Sequence, residues 1–167
     1  MQLLGRDYLK IYLEDHYAGS TVGLELARRV AGQNEGSAYG DAVAALAREI
    51  ADDRESLRAI MTGLDVDPNR IKVAGAWLGE KAGRLKLNGH LTSYSPQSRV
   101  IEVEGLTLGV TGKLLLWRAL RGVSDLVPEL DVAKLDRLIA RADAQRERLE
   151  ELRLTAVREA VAAADRG

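Results

Sequence analysis

Apolar residues recur along this chain in alternating steps of three and four, the signature of helices that each bury one face. Boundary residues divide the pattern into five segments. Segment A runs from about Leu3 to Ala31 and stops at Gly32, with a stripe of Leu9, Leu13, His16, Ser20, Gly23, Ala27 and Val30. After the turn Gln33-Asn34-Glu35-Gly36, segment B runs from about Ser37 to Thr62, with Val43, Leu46, Ile50, Asp53, Leu57 and Ile60 on one face. Asp67-Pro68 starts segment C, because an acceptor followed by proline suits the first helical turn, where the missing N–H is not needed. Segment C ends at Asn88-Gly89, residues that readily adopt left-handed geometry. Ser95-Pro96 opens segment D in the same way and Gly122 closes it; segment E starts near Pro128 to Asp131 and continues to about Ala164. No stretch alternates with period two. The pattern therefore predicts an all-α single domain over residues 1–167, an antiparallel up-down bundle of about five helices.

Segment E carries Leu135, Leu138, Ala142, Gln145, Leu149, Leu152 and Ala156 at coiled-coil spacing. At about 1.5 Å per residue it is longer than segment C, so part of it outruns the bundle or bends. Its seam suits pairing with a second copy, and a homo-oligomer through residues 131–165 is the expected partner arrangement. Segment C spaces Gly75, Gly79 and Gly83 four apart, which predicts a thin, close helix contact.

Side chains that interrupt the apolar stripes are the candidates for chemistry. His16, Asp53, Glu104 and Gln145 occupy core-type positions of A, B, D and E, and Lys81 lies beside the stripe of C. A buried charge needs a partner, since burying it alone costs several kcal/mol. Counting outward from the A–B turn places His16 opposite Asp53, and counting from the C–D connection places Lys81 opposite Glu104. The leading reading is two interhelical ion pairs that fix register, with His16 carrying a raised pKa. The alternative gathers His16, Asp53 and Glu104, aided by Glu80 or Glu49, around Fe, Mn or Zn, for which imidazole and carboxylates are suitable ligands.

The order of segments resembles a ferritin-like bundle. A rises, B falls, C returns, D falls and E rises; the link Leu64-Asp65-Val66-Asp67 is too short to cross the bundle, so C serves as a helical crossover. The resemblance implies a four-helix core and, in catalytic members, a di-iron site built from Glu and Glu-x-x-His. This chain departs from that motif: Leu13 precedes His16 by three, Leu87 precedes His90 by three, and Glu49-x-x-Asp52 and Glu147-x-x-Glu150 keep no histidine. Di-iron oxidation and iron storage are therefore not expected.

Composition narrows the remaining classes. Twenty-four basic and 25 acidic residues give a net charge of −1, which argues against a nucleic-acid binder or a basic membrane anchor. The absence of cysteine removes thiolate chemistry and disulfides. Val100–Trp117 is the most apolar stretch, but Glu102, Glu104 and Lys113 make it a core helix and not a membrane span. The start MQLLGRDYLK lacks the apolar run of a signal peptide, so a bacterial cytoplasm is the expected setting. Gly36-Ser37-Ala38-Tyr39-Gly40 lacks the Lys-Ser/Thr of a phosphate loop. Ser20 lies one turn from His16, within reach for a hydroxyl–imidazole pair, and His90 falls in a loop. Tyr8, Tyr12 and Tyr17 either rim a ligand cavity or cover a helix end, and Trp77 and Trp117 anchor packing. The function these features predict is a non-catalytic, self-associating binding protein without a cofactor, ligand unspecified. A ferritin-like metal-handling protein is the alternative.

Overall fold

The computed structural model describes residues 2–68 and 96–164, with side chains from residue 5 in the first stretch and residue 97 in the second. They form four helices: α1 (Gln2–Gln33), α2 (Ala38–Gly63), α3 (Pro96–Gly122) and α4 (Val132–Ala164). These are segments A, B, D and E, and no strand occurs among the described residues. Segment C, with Gly75, Gly79, Gly83, Trp77, Glu80 and Lys81, lies outside the described residues, as does His90. Among the described residues no helix is long and apolar enough to cross a membrane.

The helix ends are set by specific atoms. Ser37 is the N-cap of α2 in extended backbone geometry, and its Oγ accepts the Gly40 amide at 3.0 Å. Gly36 has φ +79°, and a Cβ at Gly40 would lie 2.0 Å from the Asn34 carbonyl oxygen, so glycine is required at both ends of this turn. Asn34 is buried; its amide donates to the Val30 carbonyl at 2.8 Å, and its Oδ1 accepts from Arg99 Nε of α3 at 3.2 Å. At the far end of α2 the Leu64 amide bonds back to Ile60 and Met61, and Asp65 turns the chain at φ 57°. Asp131 starts α4 by accepting the Lys134 amide at 2.9 Å.

α1 packs on α2 and on α3, α4 packs on α3, and α4 approaches α2 only lightly. The four helices thus form a ring in the order α1, α2, α4, α3, with α2 and α3 on a diagonal. Their buried faces make two apolar clusters. One joins Leu13 and Tyr17 to Leu57, Met61, Trp117 and Leu138; the other joins Leu24, Val30, Val43, Ile50, Val103 and Leu149. The B and E stripes are buried as predicted, Ile60 and Leu152 only partly. In α4 the last buried residue is Ala156, and beyond it Glu159 pairs with Arg99 of α3 at 2.9 Å.

Two stripes are corrected by one residue each. In α1 the buried positions at mid-length are Tyr17, Ala18 and Leu24, which leaves His16, Ser20 and Gly23 half-buried. In α3 the buried series is Val103, Leu106 and Val110, so Glu104 is 54% exposed and among the described residues pairs with Arg153 at 3.9 Å. Glu104 is not a core residue. A carboxylate in water needs no buried counter-charge; the predicted Lys81–Glu104 pair lies outside the described residues, because Lys81 does.

Candidate functional site: a polar layer and the cavity beside it

The two apolar clusters are separated by one polar layer. On α2 it lies between Ile50 and Leu57, on α3 between Val110 and Leu114, and on α4 between Ala142 and Leu149. Asp53, 2% exposed, is its centre. Lys113 reaches across the diagonal from α3 and donates to Asp53 Oδ2 and to Gln145 Oε1. Gln145 is completely buried; its amide donates to Asp53 Oδ2 at 3.1 Å and to Glu49 Oε2 at 3.0 Å. Arg141 meets the other Asp53 oxygen as an ion pair whose geometry falls outside a hydrogen bond. Arg148 grips Glu49 through two nitrogens, one at 2.8 Å.

Burial pushes the Lys113 ammonium below its ordinary pKa, against the opposing pull of Asp53. The hydrogen bond from Arg148 leads in holding Glu49 below the usual carboxylate range, and Glu49 in turn raises Arg148. These long side chains fill the space where α2 and α4 stand apart.

The predicted His16–Asp53 pair does not form. Both residues belong to the walls of one cavity of about 300 Å³ between α1, α2 and α3, but Asp53 is occupied by Lys113, Arg141 and Gln145. His16 packs edge-on against Tyr12, with ring centroids 4.6 Å apart. Its pKa is lowered by burial, which outweighs the neighbouring Asp15 carboxylate, reversing the expected shift. Ser20 does not serve His16 either, because its hydroxyl donates to the Tyr17 carbonyl at 2.6 Å.

His16, Asp53 and Glu104 are not brought together: the first two share the cavity and Glu104 lies elsewhere on the surface of α3. Among the described residues no group of three or more His, Asp or Glu side chains is placed to hold a metal ion. The donor set of Asp53 consists of cations and an amide, which stabilises a carboxylate but competes with metal ligation.

Glycine shapes the cavity. Gly19 and Gly23 of α1 and Gly109 and Gly112 of α3 all line it, and a Cβ at any of the four would meet nothing within 4 Å among the described residues. No family model, curated protein or solved structure matches the chain. What the cavity can do is therefore read from its own walls.

Those walls are mostly apolar, with Leu106, Val110 and Leu116 from α3 and Ile50 and Leu57 from α2. Trp117 is 1% exposed, and its indole N–H has no acceptor among the described residues. Arg54 stacks over the Tyr17 ring at 4.3 Å and donates to Thr21 at 3.3 Å, while its buried Nε has no hydrogen-bond partner among the described residues. A second, larger hollow lies at the end of the bundle, between the start of α1 and the α3–α4 connection. Tyr8 and Tyr12 stack at its rim, so these tyrosines do border a hollow, whereas Tyr17 is in the core. Of the charged residues there, Arg6 and Glu129 are exposed and pair at 2.9 Å, and Lys10 is half-buried.

Sequence reasoning missed Lys113 and Arg141. Lys113 was detectable: Val103, Leu106, Val110, Lys113, Trp117 and Leu120 follow steps of three and four without a break.

Proposed function

We propose that this protein is a binding module that holds a small, largely apolar molecule in the cavity between α1, α2 and α3. One observation carries the reading: four glycines line a hollow that Trp117 also borders, and the buried N–H of that tryptophan has no acceptor among the described residues. Interior glycine costs about 1 kcal/mol in a helix, so four of them around a void are expensive unless the void is used. The volume is at the small end of the about 300–1,000 Å³ common for ligand pockets. Buried polar groups such as the Trp117 N–H ordinarily have partners, and a ligand atom would provide one.

The reading treats the four helices as an antiparallel bundle made from two hairpins, α1–α2 and α3–α4. It also treats the Asp53 layer as the structural floor beneath the cavity. The test uses Trp117 as the reporter. In a Trp77→Phe chain it is the only tryptophan, and 1-octanol should change its fluorescence saturably. Gly112→Leu, which projects a side chain into open space, should abolish that change while leaving thermal unfolding cooperative. An unsaturable response, or an identical one in Gly112→Leu, would overturn the reading.

A second part of the proposal is self-association through α4. It is favoured by Leu154 and Val161, exposed apolar residues seven apart on one helix. Light scattering should give a multiple of the chain mass that falls to the single-chain mass in Leu154→Glu/Val161→Glu. A single-chain mass for the parent would overturn it.

A further inference from the structure

We infer that the occupant of the cavity is an apolar acid, a hydrocarbon body carrying one carboxylate that accepts hydrogen bonds from Trp117 and Arg54. This names the ligand class of the proposed binding site and rests on that reading.

Two residues of the cavity wall own buried N–H groups without acceptors among the described residues, the Trp117 indole and the Arg54 Nε. Asp53, the one buried carboxylate in that wall, is already held by Lys113, Arg141 and Gln145. Among the described residues the wall thus has two buried donors without acceptors against one buried acceptor without a hydrogen bond, Asp53 Oδ1, which already faces the Arg141 guanidinium; this surplus of donors selects a ligand with an acceptor and disfavours one with a cation. Charge points the same way. At the buried end Lys113 and Arg54 both border the cavity, against Asp53 alone, and Asp53 is shared with Arg141. The other wall carboxylate, Asp15, is exposed, as is Glu55 beside Arg54 at 3.7 Å, so both remain hydrated. Bonds from N–H donors to an ionised acceptor are stronger than those to a neutral one, and more so away from water. The glycine-lined sides have room for the hydrocarbon; on α1 the glycines alternate with the half-buried His16 and with Ser20, whose hydroxyl is already bonded to the Tyr17 carbonyl.

Three ligands of equal chain length separate the possibilities: octanoate, 1-octanol and octylammonium, titrated at neutral pH and below their aggregation concentrations into the Trp77→Phe chain. Octanoate should bind at least about tenfold more tightly than octanol, with octylammonium weakest. Arg54→Met keeps the apolar stem and removes the donors. It should bring octanoate down to the affinity of octanol, which itself stays unchanged. Equal binding of octanoate and octanol, or preference for octylammonium, overturns the acid while leaving the binding reading in place. Failure of all three to bind overturns both.

Discussion

Between α2 and α4 the middle of the bundle is spanned by Asp53, Glu49, Gln145, Arg141 and Arg148, whereas at the same level between α1 and α3 it is walled by Gly19, Gly23, Gly109 and Gly112 and left hollow. Both regions interrupt the apolar core, and they do so with opposite side-chain volumes. Where α2 and α4 stand apart, long charged side chains bridge the distance and satisfy one another. Where α1 and α3 pack together, absent side chains leave the space. Lys113 and Asp53 belong to both, since each is in the ion network and in the cavity wall. A filled gap is a fixed structural element, and an unfilled one beside it is where a ligand can be held without moving the helices.

Removing one charge from the filled side should have the greatest consequence. Lys113→Met should cost about 3–5 kcal/mol, because it leaves Asp53 buried with its diagonal counter-charge gone. Adding Asp53→Leu should recover most of that loss, since apolar replacement of a buried ion pair is often neutral or better. Urea unfolding of the single and double variants measures both. A loss below about 1 kcal/mol for Lys113→Met would mean that Arg141 and Gln145 alone satisfy Asp53 and that the bridge does not need α3.

Glycine offers a second test, at two places where it serves opposite ends. At Gly40 a methyl group would overlap the Asn34 carbonyl, so Gly40→Ala should destabilise by about 1–3 kcal/mol through displacement of the α1–α2 turn. At Gly112 the same methyl enters open space, so Gly112→Ala should stabilise by about 0.5–1 kcal/mol through helix propensity. Thermal unfolding of the two variants should move in opposite directions. A loss of stability in Gly112→Ala would show that the cavity is occupied by the protein itself.

How much of this was legible in the sequence depended on which residues broke a stripe. Asp53 and Gln145 stood out because each replaces an apolar residue in an otherwise regular seam, and both are buried. The level of His16 was right as well, since turn counting placed it and Asp53 around one space, now seen as a cavity. Its partner was wrong because an imidazole beside a stripe cannot outcompete Lys113 and Arg141 for one carboxylate. Lys113 was hidden by being read only as a charge that spoils a membrane span. Arg141 was out of reach of pattern reading, because it lies off the α4 seam and gets its guanidinium to Asp53 by the length of its stem. The hollow was illegible for a related reason: periodicity records which residues face inward, not whether the faces that meet fill the space between them.

The smallest expected effect comes from His16, at the edge of the unfilled side. Burial lowers its folded pKa below the unfolded value near 6.5, and Asp15 only partly opposes this. As pH falls through about 6.5 the unfolded chain gains a proton that the folded chain refuses, so stability present above that pH is lost towards the folded pKa and then levels off. A partnered imidazolium would behave in the reverse sense, being most stabilising at low pH. In a His90→Gln chain His16 is the only histidine, and its ring resonances should titrate below the value of a free imidazole. His16→Gln should flatten the slope of stability with pH between about 7.5 and 5.5. A titration above about 6.5 would require an anion beside the ring, and would make the cavity wall at His16 an ion-paired surface like the α2–α4 side.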